Sequence, residues 1–149
     1  MRPVVVEVVV LRAVLGGGLA YRSVRGGLLP DEDPVRAAQR LAGAGEWVHS
    51  TSWRYTDEGH VVLTFAVAPE PEEWRPAKPL AEAEIARGPV PERPAPDSVS
   101  VEQVAAHAVR HLAFLAAHDP VASGFLAGHP LMARALETWP GDVAGRLTG

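Results

Sequence analysis

A chain of 149 residues, 47% hydrophobic and 21% charged, is about the size of one domain and can bury a core, which excludes disorder of the whole chain. The formal net charge is −4, and Lys78 is the only lysine among fourteen basic residues; no clustered positive charge marks a nucleic-acid footprint. With no cysteine, disulfides, thiolate nucleophiles and cysteine-based zinc sites are excluded.

Val4 to Leu11 is β-branched almost throughout, which favours a strand, and its apolar character on both faces predicts a central strand covered on both sides. Glu7 interrupts the run, which is in any case too short to span a bilayer. No basic segment followed by an apolar one opens the sequence, so the expectation is a cytoplasmic protein with no membrane contact. Gly16-Gly17-Gly18 breaks the strand and Leu19–Val24 returns as a second one, after which Gly26-Gly27 opens a loop.

Asp33 as N-cap and Pro34 in the first turn predict a helix to about Ala44, with Val35, Ala38 and Leu41 as its apolar stripe and Gly43 and Gly45 as its end. Glu46 to Tyr55 then alternates. Period two predicts one face bearing Trp47, His49, Thr51, Trp53 and Tyr55, and another bearing Val48, Ser50, Ser52 and Arg54. Asp57-Glu58-Gly59 is a turn signal, and His60 to Ala68 completes a hairpin. The aromatic face of this strand either stacks a base or sugar, with His49 and Thr51 supplying hydrogen bonds, or is core.

Eight of the fourteen prolines lie between Pro69 and Asp97, which predicts a linker or wrapping arm with a short helix over Leu80–Arg87. Ser100 and Gln103 form a capping box, and a long helix is expected to about Ala117, with Val101, Val104, Ala105, Ala108, Leu112 and Leu115 facing the core. Asp119-Pro120 ends it, and two short helices over Val121–Ala127 and Leu131–Glu137 follow. The whole chain, 1–149, reads as a single domain: a β/α core over 1–68, the proline-rich stretch over 69–97, and a helical part over 98–149. The arm and the terminal helices also suit a homodimer interface.

The segment Gly26 to Val48 resembles the box of Nudix hydrolases, written G-x5-E-x7-R-E-U-x-E-E-x-G-U with U a bulky aliphatic residue. Gly26, Glu32 and Arg40 fall at matching spacings, Leu29-Pro30 and Ala37-Ala38 occupy places where the family often has such residues, and strands flank the segment on both sides. The resemblance covers about residues 4–68 and implies an α+β fold, a Nudix-like mixed sheet between helices with extra C-terminal helices. In the family, acids after the box arginine hold divalent cations against a diphosphate, neutralising the leaving phosphate and activating water. Here the three acidic positions hold Leu41, Ala44 and Gly45, none of which ligates magnesium. Sliding the register by two residues, which aligns Gly45 with the terminal glycine of the box, still puts no carboxylate on that helix face.

Two functional expectations follow. The first is a Nudix-like protein without metal-dependent diphosphate hydrolysis, needing no cofactor, that binds a nucleotide-like small molecule or a protein partner. Its ligand residues would be Gly26, Gly27, Glu32, Arg40, Trp47, His49 and Trp53, in a pocket between the glycine loop and the aromatic strand face. The second is a divergent hydrolase of nucleoside diphosphate derivatives that recruits Mg²⁺, a base or both through Glu32, Glu46, Glu58, His49 or the helix histidines. For Glu32 and Arg40 a plain ion pair holding the fold is the competing role. His107 and His111, at i and i+4, have the spacing of a metal pair, although packing histidines beside an apolar face is the commoner use of such residues. His118 lies about 10 Å further along the axis and cannot complete the same site alone. Ser50 and Ser52 point away from His49 on a regular strand, so no nucleophilic dyad is expected.

Overall fold

A computed structural model describes residues 4–14, 18–43, 46–56, 58–70, 77–80 and 101–139, together with the backbone of 145–146. The chain is an α+β protein whose mixed sheet carries helices on both faces. Ten elements are described: β1 (Val4–Ala13), β2 (Leu19–Gly27), α1 (Pro34–Ala42), β3 (Trp47–Tyr55), β4 (Val61–Ala68), β5 (Lys78–Leu80), α2 (Val101–His118), α3 (Pro120–Ala127), α4 (Pro130–Glu137) and β6 (Gly145–Arg146).

The six strands lie in the order β5-β2-β1-β4-β3-β6. The valine-rich β1 is central, antiparallel to β2 and parallel to β4, and the β3–β4 hairpin is antiparallel, as its turn residues require. Gly59 supplies the left-handed backbone at that turn, with φ of 84°. Val6, Val8 and Val10 of β1 pack under α1 with Phe65 and Val67, whereas Val9 and Leu11 pack under α2, α3 and α4. One strand thus serves two cores, which is why it is apolar on both sides.

Helix α1 starts and stops where its residues dictate. The Asp33 carboxylate accepts the Arg36 N–H at 2.9 Å, Pro34 occupies the first turn, and Gly43 closes the helix in the left-handed region at φ of 87°. Its buried side is Ala37, Ala38 and Ala42, small residues that bring the helix axis close to the sheet. Val35, expected in the apolar stripe, is 46% exposed because it falls at the rim of that alanine side. Ala44, Gly45 and Asp57 lie outside the described residues, as do Gly16 and Gly17.

Helix α2 buries Val104, Ala105, Ala108 and Leu112 as its periodicity predicts, and Leu115 packs partly buried at the edge of that core. Val101, placed in the same stripe, is instead exposed in the first turn. The short helices α3 and α4 appear where expected, each led by proline. Ser100 and most of the expected Leu80–Arg87 helix fall outside the described residues; Leu80 itself pairs with Leu19 as strand. No helix among the described residues is long and apolar enough to cross a membrane.

The largest departure from sequence periodicity is in β3. Ser50 pairs with Phe65 and Ser52 with Thr64, so Thr51 is an extra residue, a β-bulge that reverses the alternation. Trp47 and His49 face α2 and α3, whereas Trp53 and Tyr55 share the α1 side with Leu63. The expected single aromatic face therefore does not exist. Thr51 is fully buried, its hydroxyl donating to the Thr64 carbonyl at 3.3 Å.

Candidate functional site

Gly26 and Gly27, expected to open a loop, are instead the last residues of β2, paired with Val6 and Val5, and the loop that follows them is closed by an ion pair. Arg40 donates through Nε to Glu32 Oε2 at 2.9 Å and through Nη2 to Glu32 Oε1 at 2.8 Å, and Nη2 also reaches the Gly27 carbonyl at 2.9 Å. The Leu29 N–H donates to the same carboxylate at 2.9 Å, and Asp31 takes a left-handed backbone, φ 62°, to turn the chain. Gly26, Gly27, Glu32 and Arg40 are thus brought together, as a clamp from helix to loop. The Arg40 hydrogen bonds, aided by the Leu29 N–H, hold the Glu32 carboxyl well below the usual range, at about 2.

A depressed acid contributes stability that is present above its unfolded value, about 4.3 for glutamate, and is lost as pH falls through the folded value. The Arg40 Nε–H resonance is therefore expected to keep its bonded shift below the ordinary glutamate range and to collapse only as pH approaches about 2. A transition centred near pH 4.3 would show that the clamp is not formed in solution.

The C-terminal end of α1 is closed by Leu41 and by Arg22. Leu41 lies over Gly26 so closely that a Cβ built there would meet Leu41 Cδ2 at 2.8 Å. The Arg22 guanidinium, from β2, donates to the Ala42 carbonyl at 2.9 Å and makes a two-pronged pair with Glu70, through Nε to Oε2 and through Nη2 to Oε1 at 2.9 Å. Both side chains are buried, with 10% and 1% exposed. The helix's exposed carbonyl end and a buried carboxylate thus meet a tethered cation. A divalent ion of the Nudix kind does not fit this arrangement: Leu41 offers methyl groups where an oxygen is needed, Ala44 and Gly45 carry no side-chain donor, and Glu70 is occupied by Arg22.

The remaining candidates are distributed over both faces. Trp47 lies tilted against Phe125 at 4.9 Å, and Phe125 stacks at 4.4 Å on His129, whose Nε2 lies 3.2 Å from Glu46. Glu46 precedes β3 and its side chain is 64% exposed. His49 lies tilted against His111 of α2 at 4.9 Å; burial pushes the His49 imidazole below its ordinary value, opposed by the charge of Asp119. His107 sits one turn before His111 on α2, and no group of three or more metal-ligating side chains converges among the described residues. Trp53 meets Tyr55 edge-on at 5.4 Å, on the α1 side. Glu58 is exposed beside His60 in the hairpin turn. Glu32 is clamped on the α1 side while Glu46 and His49 serve the α2–α4 side, so these acids and histidines do not share one cleft.

Two features escaped sequence reasoning. The first is a row across four strands, Ser52–Thr64–Glu7–Arg25, in direct register on β3, β4, β1 and β2. Glu7 is fully buried, accepting from Arg54 at 3.0 and 3.3 Å, from Arg25 at 2.8 Å and from the Thr64 hydroxyl at 3.0 Å. Burial alone would push its carboxyl up; Arg54 and then Arg25 outweigh this and hold it low. A lone acid inside an otherwise apolar strand was the available signal, because a buried carboxylate demands a cation. The second is a cleft of about 650 Å³ among α2, α3 and α4, walled by Ala113, Phe114, Ala117, Leu126, Leu136 and Trp139. Alanines where larger residues would have filled the gap were its only sequence signal. Comparison of the chain with protein-family models, with curated proteins and with solved structures finds no match in any of the three.

Proposed function

We propose that this chain is a Nudix-like protein that binds a nucleotide-like small molecule without metal-dependent diphosphate hydrolysis. The spacing of Gly26, Glu32 and Arg40, and a helix that follows them onto a mixed sheet, support the kinship. The observation that carries the functional reading is the filling of the C-terminal end of α1. Leu41 seals against Gly26, and the mutually neutralised Arg22–Glu70 pair covers the Ala42 carbonyl, so Glu70 is not free to hold a divalent ion there. Without a bound metal there is no activated water, so the metal route to hydrolysis is closed.

The ligand would lie on the α1 side, between the Gly26–Glu32 loop and the Trp53–Tyr55 pair. Both stand at the same end of the sheet, since Gly27 pairs with Val5, Val5 with Val62, and Val62 with Arg54 next to Tyr55. Tyr55 is 40% exposed and Trp53 half-buried, which leaves aromatic surface for a base. The divergent-hydrolase alternative finds less support, because its acids and histidines stand on opposite sides of the sheet.

The test pairs turnover with binding. Nucleoside diphosphate derivatives incubated with the protein and Mg²⁺ or Mn²⁺ are expected to remain intact, while a nucleoside diphosphate quenches tryptophan fluorescence saturably in the parent and much less in Trp53→Phe. Hydrolysis at ordinary enzyme rates, about 1 s⁻¹ or more, would defeat the non-catalytic reading. Absence of saturable quenching would defeat the ligand.

A further inference from the structure

The row Ser52–Thr64–Glu7–Arg25 and the adjacent Arg54 hold an imbalance of charge and of donors on the sheet face opposite α1. One carboxylate, Glu7, is shared by two guanidiniums, Arg25 and Arg54, so the cluster carries one net positive charge. Among the described residues neither arginine contacts a second carboxylate, and the side-chain bonds of both go to Glu7.

Donor capacity is in surplus too. A guanidinium has five N–H groups, and Arg54, only 5% exposed, spends one from Nη1 and one from Nη2 on Glu7. Two residues before it on the same strand face, Ser52 is 2% exposed and its hydroxyl has no hydrogen-bond partner among the described residues. A buried hydroxyl with no acceptor, beside a cluster with one surplus positive charge, is unfavourable unless an anion meets both. Glu7 cannot accept more: its two oxygens already take bonds from Arg25, Arg54 and Thr64. Arg25, whose side chain is half exposed at 49%, forms the solvent side of the cluster and provides the approach.

We infer that Arg54 and Ser52 form a site for a singly charged oxyanion, a carboxylate or a phosphate monoester or diester group of a small molecule, with Arg25, beyond β4 and β1 along the row, supplying the surplus positive charge on the solvent side. One negative charge neutralises the cluster, and an oxyanion is all acceptor, which matches a lining that is all donor. Guanidinium forks and a hydroxyl suit an oxygen pair better than a halide. The site is independent of the family reading, since it lies across the sheet from α1 and uses none of the box residues.

The experiment is thermal unfolding of the full chain titrated with sodium acetate, with inorganic phosphate and with sodium chloride, at matched ionic strength and a slightly acid pH where phosphate carries mainly one charge. The expected result is a saturable rise in melting temperature with acetate or phosphate beyond that with chloride. Ser52→Ala, which removes one hydroxyl and no charge, is expected to need about tenfold more anion for the same rise, the loss of one hydrogen bond to a charged group. Arg25→Gln, which leaves the cluster neutral, is expected to abolish the anion-specific part. Acetate responding alone assigns the site to carboxylates, and phosphate alone assigns it to phosphates. If the melting temperature follows ionic strength whatever the anion, or if Ser52→Ala titrates like the parent, the inference is overturned.

Discussion

Glu7→Ala is expected to lower stability by about 3–5 kcal/mol, read as a fall in the urea midpoint at unchanged slope. The cost does not come from the lost packing of one carboxylate. It comes from what remains: Arg54, buried among β-strands, loses both its acceptors and faces Arg25 with nothing between them. Thr64, also fully buried, loses the acceptor for its hydroxyl. Arg54→Met is expected to cost less, because Glu7 keeps Arg25 and Thr64 and a long apolar side chain replaces a buried cation. The order of the two variants is the informative result. A Glu7→Ala loss of less than about 1 kcal/mol would mean that water already solvates the cluster. The same carboxylate contributes to acid sensitivity. Its folded value is depressed, so its contribution is complete above about pH 4.3 and declines as pH falls through the folded value.

The second large effect is expected at Arg22. Replacing it with alanine removes the partner of a carboxylate that is 1% exposed and uncaps the Ala42 carbonyl at the end of α1. Breaking a buried pair in this way costs about 3–5 kcal/mol, and the lower end is expected because Glu70 has further interactions. The discriminating measurement is whether millimolar Mg²⁺ or Mn²⁺ restores the loss. With leucine, alanine and glycine at the other positions, one carboxylate is too poor a donor set for a hard divalent ion, so no restoration is expected. Recovery of the melting temperature with divalent ions would mean that Arg22 merely covers a functional metal site, and the non-catalytic reading would have to be abandoned.

Much of the architecture was legible in the residues. The β-branched run of β1, the Asp33–Pro34 start of α1, the Gly43 stop and the Gly59 turn each depend on local backbone preference, and each appears where expected. The candidate site was legible only where its geometry is local. Glu32 and Arg40 are eight positions apart on one loop and one helix, and their pairing follows from spacing. The aromatic face failed for a definite reason. Period-two reasoning assumes an unbroken ladder, and a single inserted residue at Thr51 sends Trp53 and Tyr55 to the opposite side from Trp47 and His49. Nothing in the local sequence marks the bulge, because Thr51 is held by a bond to the carbonyl of Thr64 on the neighbouring strand.

From the residues alone come the mixed α/β composition, the order of the elements from β1 to α4 apart from β5, the absence of thiol chemistry, and the lack of carboxylates after Arg40 in α1. These are properties of single positions or of short periodic runs, where backbone sterics and side-chain chemistry act within a turn or two. Tertiary structure alone decided which charges far apart in the sequence meet. Arg22 finds Glu70 at a separation of 48 residues and Arg54 finds Glu7 at 47, pairings that depend on strand order and register. A buried charge must be neutralised by whatever the fold brings beside it, and chain folding, not distance along the sequence, determines that neighbour.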